Sequence, residues 1–266
     1  MSTTITYSLG LDELHSREQR LWKSTIGEFI GNLILNFFAC GACSQPEDGT
    51  FKALAFGLGV FMAITIVGHL SGGHVNPAVT IAMLLTGRVS LIRSIFYIIA
   101  QCLGAAVATS AVKAFLDEAY HNGLGHTNLA ENISELQGLG IEFFLGLVLV
   151  LTVFGACDAN KPDSRYTAPL AIGMSVTLGH LGTIRYTGAS MNPARTFGTA
   201  YATNNWDSHW VYWAGPILGG IAAALVYTQI LEKPAEIPKP PEASDKYRIH
   251  AYEREMKKFE KAGDFA

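Results

Sequence analysis

Charged residues are scarce in this chain of 266 residues. Asp, Glu, Lys and Arg make up only 15% of it and hydrophobic residues 49%, whereas a soluble protein usually carries about a quarter charged residues. The mean hydropathy is +0.25, and charge is missing mainly from a few long runs. This deficit excludes an ordinary soluble domain and predicts a protein that crosses a membrane several times.

The sequence also lacks a signal peptide, a metal-binding motif and a catalytic motif. The first twenty residues are polar, so no cleavable signal peptide is expected. Cys40 and Cys43 have C-x-x-C spacing, but no second ligand pair accompanies them, which favours buried free thiols over a metal site. No nucleophile with a base, paired carboxylates or phosphate-binding loop is evident. We therefore expect no enzyme, no metal, no cofactor and no nucleic-acid partner.

Long apolar runs predict six transmembrane helices, at about residues 24–43, 53–70, 94–115, 136–157, 166–184 and 208–231. The charge-free stretch from Ala53 to Gly87 is too long for one span of about 20 residues, and Asn76-Pro77 interrupts it. Because Asn and Pro suit a helix start, we predict a re-entrant loop with a short helix over 76–85. A second short helix is predicted over 194–206. The predicted domains are an arm (1–23), a membrane domain (24–232) and a tail (233–266).

The chain repeats its own pattern. Glu28-Phe29 and Glu142-Phe143 open matching apolar runs, and Asn-Pro-Ala follows each at a similar offset. Each half, about 24–116 and about 136–232, holds three spans, so the second half is inverted and the two short helices meet N-terminus to N-terminus. Non-helical backbone at that depth needs protein or water around it. The predicted fold is an all-α membrane protein with six transmembrane helices, two re-entrant half-helices and an inverted 3+3 repeat.

Basic residues set the predicted orientation. The arm, the loops around Arg88 and Lys161, and the tail hold most of the Lys and Arg, so both termini are expected in the cytoplasm of a plasma-membrane protein. The acidic connector at 116–135 then lies outside. It contains Asn132-Ile133-Ser134, a candidate glycosylation site. The alternative is that Asn132, which lies close to the membrane, stays unmodified.

Two motifs resemble one family. They are Gly68-His69-Leu70-Ser71-Gly72-Gly73-His74-Val75-Asn76-Pro77-Ala78-Val79-Thr80, and Tyr186-Thr187-Gly188 with Met191-Asn192-Pro193-Ala194-Arg195. Both are similar to motifs of the aquaporins (major intrinsic proteins), over about Trp22 to Leu231, and the pattern resembles the water-selective, animal-type branch. The resemblance implies a passive water channel that excludes protons and ions, lies in membrane lipid, and forms a homotetramer with one pore per subunit.

The resemblance places a pore at the paired motifs, Asn76, Pro77, Ala78, Asn192, Pro193 and Ala194. Two facing helix N-termini contribute about half a positive charge each, and the two Asn amides can hold the oxygen of one water. Its hydrogens then point away, which breaks a proton wire, while the field repels cations. The alternative is that each Asn only caps its helix.

The resemblance also implies a selectivity filter of Phe56, His180, Ala189 and Arg195. Phe56 supplies bulk, while His180 and Arg195 supply donors for the water oxygen and Arg195 a charge against cations. Glycerol-passing relatives typically have a small residue in place of His180. The alternative for His180 is an interior histidine. The expected pore-lining carbonyls are those of Gly72, Gly73, His74, Val75, Gly188, Ala189, Ser190 and Met191.

Glu28 and Glu142 are ionisable residues inside spans, where such residues are costly and usually functional. We expect both to accept hydrogen bonds from the re-entrant backbone, with a proton carrier as the alternative. His74 is expected to be structural, with a pH sensor as the alternative. Ser190 replaces a Gly that is common in water channels and is expected to alter the loop packing slightly.

Other functions stay open. A channel that also passes glycerol, urea or peroxide is the alternative within the class. A secondary transporter would need a coupling carboxylate in its lumen. A junctional or adhesive protein would not need Asn76, Asn192 and Arg195, which are intact.

Ala189 predicts the response to mercurials. Mercury-sensitive relatives carry Cys at this position, so we expect weak or absent block there. Osmotic swelling of vesicles before and after addition of a mercuric salt measures it. A block that requires a thiol at residue 189 would contradict the prediction.

Overall fold

The computed structural model describes residues 8–14, 21–45 and 48–233, and all regular structure within them is helical. The helices are α1 (Leu21–Cys43), α2 (Gly49–Ser71), α3 (Pro77–Leu85), α4 (Leu91–Phe115), α5 (Glu135–Ala156), α6 (Ala168–Thr187), α7 (Pro193–Thr203) and α8 (Val211–Val226), with 3₁₀ turns at Leu11–Leu14, Glu118–Tyr120, Asn122–Gly125 and Pro162–Tyr166. A π-helical turn, Tyr227–Leu231, extends α8. The predicted tail, except Lys233, lies outside the described residues.

Capping residues, rather than the ends of charge-free runs, set two of the helix boundaries. The helix α2 begins at Gly49 and not near Ala53, because Asp48 Oδ1 accepts hydrogen bonds of 2.9 and 3.0 Å from two backbone N–H groups of the first turn. The second short helix, α7, ends at Thr203 and not near residue 206. Asn204 there adopts a left-handed conformation, with φ of 53°, that terminates the helix.

The helix packing has the symmetry of an inverted repeat. The helix α1 packs on α2 and α4, and α5 packs on α6 and α8. The short helix α3 packs on α8 of the other half, as α7 packs on α4, and α2 packs on α6 between the halves. Exchanging α1–α4 with α5–α8 reproduces this set of pairs. The predicted all-α fold with two half-helices in an inverted repeat is confirmed.

Five helices of the described chain are long and apolar enough to cross a membrane: α1, α2, α4, α5 and the helix Val211–Leu231. The helix α6, the fifth of the six predicted spans in chain order, is not among them, although its 20 residues match the length of a span. It carries polar residues that include His180 and Arg185. Part of this polarity faces the interior, because His180 is only 1% exposed.

Residues 8–14 lie against the start of α4. The carbonyls of Ser8 and Leu9 accept hydrogen bonds of 3.1 and 3.2 Å from the first turn of that helix. Glu13 forms an ion pair of 2.6 Å with Arg93. Part of the predicted arm at 1–23 therefore packs on the helix bundle.

Glycines allow the helices of each half to approach closely. A Cβ at Gly104 in α4 would meet the carbonyl oxygen of Phe29 in α1, and one at Gly219 in α8 would meet that of Phe143 in α5. The two pairs occupy equivalent places in the repeat. Such small-residue crossings are typical of helices packed within a membrane.

We predict that Gly104→Ala destabilises the bundle, by about 1–3 kcal/mol, because the added methyl overpacks the α1–α4 crossing. Gly41→Ala in α1 is the matched control, since a Cβ at Gly41 meets no atom within 4 Å. Thermal unfolding of the purified proteins in detergent measures the difference. Equal melting temperatures for the two variants would show that the crossing tolerates a methyl group.

Candidate functional site

Two re-entrant segments, residues 72–76 and 188–192, meet inside the bundle. Asn76 Nδ2 donates a hydrogen bond to the carbonyl of Met191, and Asn192 Nδ2 donates one to the carbonyl of Val75, both at 2.8 Å. These bonds are equivalent under the repeat. They hold the N-termini of α3 and α7 face to face.

Each Asn side chain also caps its own helix. Asn76 Oδ1 accepts the N–H of Ala78 at 2.8 Å, and Asn192 Oδ1 accepts that of Ala194 at 3.0 Å. An amide nitrogen carries two hydrogens, so the bond across to the other segment leaves one hydrogen for a ligand. Capping and ligand donation are therefore compatible at both positions.

The re-entrant backbone is strained. Val75, Ala189 and Met191 have φ of 43°, 49° and 57°, a region that costs a residue with a side chain about 1–3 kcal/mol. Such conformations persist only where the surroundings impose them. Val75 is the most demanding case because its side chain is β-branched.

Glu28 imposes the conformation of the first segment. Its Oε1 accepts the N–H of His74 at 3.0 Å and the hydroxyl of Ser71 at 2.5 Å. Its Oε2 accepts the N–H of Val75 at 2.6 Å and Gln101 Nε2 at 2.8 Å. The side chain is fully buried, and its oxygens are directed at the backbone that needs them.

Glu142 does the same for the second segment. Its Oε1 accepts the hydroxyl of Thr187 at 2.7 Å and the N–H of Ser190 at 2.9 Å, and its Oε2 accepts the N–H of Met191 at 2.9 Å. This geometry matches the backbone-bracing role that we expect for both glutamates. Two of the three strained residues, Val75 and Met191, donate their N–H to a carboxyl group, and the third, Ala189, donates its N–H to Thr187 Oγ1 at 3.1 Å.

Two tyrosines complete the bracing, a role that the sequence alone did not predict. Tyr97 donates its hydroxyl to the carbonyl of Ser71 at 2.9 Å, and Tyr212 donates to that of Thr187 at 3.0 Å. Both side chains are buried. The only signal in the sequence is that the two tyrosines occupy equivalent positions in the two halves.

Three of the four predicted filter side chains lie together. The Phe56 ring stacks on the His180 ring with centroids 4.4 Å apart, and Arg195 Cζ lies 4.6 Å from the Phe56 centroid. Arg195 is 2% exposed, and its Nε and Nη1 are buried without a hydrogen-bond partner among the described residues. These nitrogens are donors in need of an acceptor.

The His180 ring differs from its predicted role as a donor. Its Nδ1 lies 2.9 Å from the carbonyl of Val176, which can only accept, so Nδ1 carries a proton. In a neutral ring Nε2 is then an acceptor, and Nε2 is the buried atom that has no partner in the described chain. A neutral His180 therefore offers an acceptor beside the Arg195 donors.

A cavity of about 640 Å³ runs past both re-entrant segments to this cluster. The predicted site residues that line it are Phe56, Gly72, Gly73, His74, Val75, Asn76, His180, Ser190, Met191, Asn192 and Arg195. The remaining predicted site residues are absent from the cavity wall: Glu28, Pro77, Ala78, Glu142, Gly188, Ala189, Pro193 and Ala194. The cavity wall thus includes the residues that begin both short helices and the buried cation of Arg195.

The cavity reaches the opposite end of the bundle near Cys157 and Arg165. Cys157 is an exposed free thiol, whereas Cys40 and Cys43 are buried free thiols. A mercurial has access to Cys157, so the swelling test at Ala189 requires a Cys157→Ser control.

Two connector residues are outside the cavity. Burial and then the charge of Arg195 lower the pKa of His126 to about 4, so this imidazole is neutral near pH 7. Asn132 is exposed, three residues before α5. Its glycosylation stays a prediction.

We predict that Glu142→Gln lowers stability by about 1–3 kcal/mol, because an amide NH₂ replaces one acceptor oxygen and faces an N–H donor. The exposed Glu131→Gln is the matched control. Folded yield and melting temperature in detergent measure the effect. A variant that folds like the wild type but conducts differently would contradict the bracing role.

Comparison with known proteins places the chain in a family. The model of the major intrinsic protein family matches residues 15–227. Aquaporin-1 of Homo sapiens is 41% identical over 226 residues, which cover 81% of this chain and 84% of that protein. Aquaporin-4 of Bos taurus is 41% identical over 220 residues, which cover 80% of this chain and 68% of that protein.

A solved structure is similar as well. The X-ray structure of the aquaglyceroporin from Plasmodium falciparum aligns with a TM-score of 0.73 at 26% identity, covering 79% of this chain and 97% of that one. It shares the fold, while the sequence matches above are stronger. The chain is a multi-pass membrane protein of the major intrinsic protein family, whose members are channels and not enzymes.

Proposed function

We propose that this protein is a passive water channel that excludes protons and ions. The observation that carries the proposal is one cavity lined by two amides from facing helix N-termini and by the unpartnered donors of Arg195. A small polar molecule that offers lone pairs satisfies all of these groups. Water is the smallest such molecule.

Charge exclusion follows from the sign of the field. The N-termini of α3 and α7 each place about half a positive charge at the meeting point, and Arg195 adds a full charge. No Asp or Glu lines the cavity within the described residues. A cation would lose its hydration without gaining a counter-charge.

Proton exclusion follows from the orientation of the amides. With one hydrogen of each Nδ2 bonded to the opposite segment, the other hydrogens of Asn76 and Asn192 are available to one water oxygen. A water held by two donors directs both hydrogens outward. It therefore cannot accept a proton from its neighbour, and the wire is interrupted.

The filter favours water over glycerol. Phe56 stacks on His180 and lies against Arg195, and relatives named aquaporin-1 and aquaporin-4 are the stronger sequence matches. The structural match to an aquaglyceroporin keeps glycerol, urea or peroxide as the second candidate. A secondary transporter is less consistent, since Glu28 and Glu142 are fully buried and directed at backbone.

The assembly and placement are also proposals. We propose a homotetramer in the plasma membrane with both termini in the cytoplasm and a channel domain at 24–232, between the arm at 1–23 and the tail at 233–266. The connector at 116–135 then faces outward, with Asn132 as its glycosylation candidate. The family membership supports the tetramer, and the placement of basic residues supports the orientation.

We predict rapid osmotic swelling of vesicles that contain the protein, with glycerol uptake near background. His180→Ala should raise glycerol permeability roughly tenfold, because it widens the filter and removes its acceptor. Leu181→Ala is the matched control: it truncates the adjacent residue of α6, which is 53% exposed. Stopped-flow light scattering in sucrose and in glycerol measures both rates.

Each outcome has a consequence. Wild-type vesicles that do not swell faster than empty ones would overturn the water-channel proposal. Wild-type glycerol uptake comparable to water would favour the second candidate.

A further inference from the structure

Three buried hydroxyls join the connector to the second re-entrant segment. Thr127 Oγ1 lies 2.9 Å from Thr196 Oγ1 in the first turn of α7, and Thr196 Oγ1 lies 2.6 Å from Ser190 Oγ. We infer that this hydroxyl chain, Thr127–Thr196–Ser190, positions the filter and sets its solute selectivity. The inference rests on the proposed channel function and adds a role for residues outside the filter.

The Ser190 end of the chain holds the pore asparagine. Ser190 Oγ lies 3.0 Å from the carbonyl oxygen of Asn192, to which it donates, and accepts the N–H of Asn192 at 3.3 Å. The carbonyl of Asn192 is also the acceptor for the N–H of Thr196 at 3.2 Å. One hydroxyl therefore ties both backbone groups of Asn192 to the first turn of α7.

The Thr127 end of the chain holds the connector. Gly188 has φ of 77°, and a Cβ there would lie 3.1 Å from Thr127 Cα, so the connector backbone packs directly on the re-entrant segment. The N–H of Ala130 donates to the carbonyl of Tyr186 at 2.9 Å. The connector is thus fixed at two points beside the segment.

The filter residues are neighbours of the tethered ones. Ala189 precedes Ser190 in the chain, and Arg195 precedes Thr196. A small shift of either tethered residue moves its filter neighbour with it. Selectivity in a narrow pore depends on its diameter and on where its donors lie. The hydroxyl chain therefore affects selectivity by positioning the filter residues, although its Thr127 end does not contact the permeant.

The first half of the repeat lacks this tie. There Thr80 Oγ1 lies 3.1 Å from His74 Nδ1 and accepts a hydrogen bond of 3.0 Å from Gln101 Nε2 of α4. In the second half, Thr127 of the connector takes the place of Gln101. Within the described residues, the connector bonds to the Thr196–Ser190 pair and not to the equivalent Thr80–His74 pair, which points to a filter role and not to a general need of the fold.

Ser190→Ala and Thr127→Val test the inference, because each removes one hydroxyl at little change in volume. We expect each to raise the ratio of glycerol to water permeability about threefold, the loss expected when one hydrogen bond of a positioning network is removed. The double variant should add little to either single change, since the hydroxyls act as one chain. Thr127→Ser should restore the wild-type ratio.

Thr152→Val is the matched control. Among the residues that the structure describes, its hydroxyl bonds only to the carbonyl of Val148, at 2.8 Å, within α5, so the ratio should not change. Stopped-flow measurements on vesicles, normalised to the amount of incorporated protein, give the ratio for every variant. A structural role alone would lower the amount of folded protein and leave the ratio unchanged.

The outcomes separate the inference from the proposed function. A wild type that does not conduct water removes the proposed function, and the inference with it. A wild type that conducts water, with Ser190→Ala and Thr127→Val at the wild-type ratio, overturns the inference alone. If Thr127→Val does not fold, Ser190→Ala alone tests the inference, because that substitution removes a single oxygen atom.

Discussion

The structure depends on the hydrogen bonds between two buried carboxyl groups and two stretches of non-helical backbone. A bilayer interior offers no water to unpaired N–H groups, and each unpaired group costs several kcal/mol. Glu28 and Glu142 supply acceptors at those N–H groups. A hydrogen bond to a charged group contributes about 1.5–3 kcal/mol, which is comparable to the strain of one left-handed residue. Two such bonds per segment are therefore enough to hold it.

The inverted repeat supplies this bracing twice, but the surroundings of the two copies differ. Both segments use a glutamate, a hydroxyl at the preceding helix end and a tyrosine. Gln101 adds a donor to Glu28, whereas residue 216, at the equivalent place in α8, is a proline. The second copy instead contacts the connector, through the hydrogen bond between Thr127 and Thr196. The frame is symmetric and the permeation path is not, because only one end of the path carries the Phe56–His180–Arg195 cluster.

Much of the fold could be predicted from the sequence, because the relevant signals are local. The charge-free runs predict the long helices, and the two copies of Asn-Pro-Ala predict the two short ones. A glutamate at the same offset in each half indicates the repeat, and three spans per half indicate that the second copy is inverted. The helix ends could not be predicted from charge, since Asp48 caps a helix that extends past the apolar run. The proton position on His180 was also missed, because it depends on the Val176 carbonyl one helical turn away. Thr127 and the tyrosine hydroxyls were missed because their partners are distant in sequence.

Placing the carboxylates behind the pore wall resolves a conflict between folding and selectivity. The re-entrant backbone needs strong acceptors, yet an acidic group in the lumen would attract cations. Both glutamates lie on long helices, fully buried, and are absent from the cavity wall. Their oxygens face the backbone N–H groups, which leaves the opposite side of the same peptide chain to face the cavity. The lumen thus receives amides, carbonyls and Arg195, and the carboxyl groups that hold the backbone in place are kept out of it.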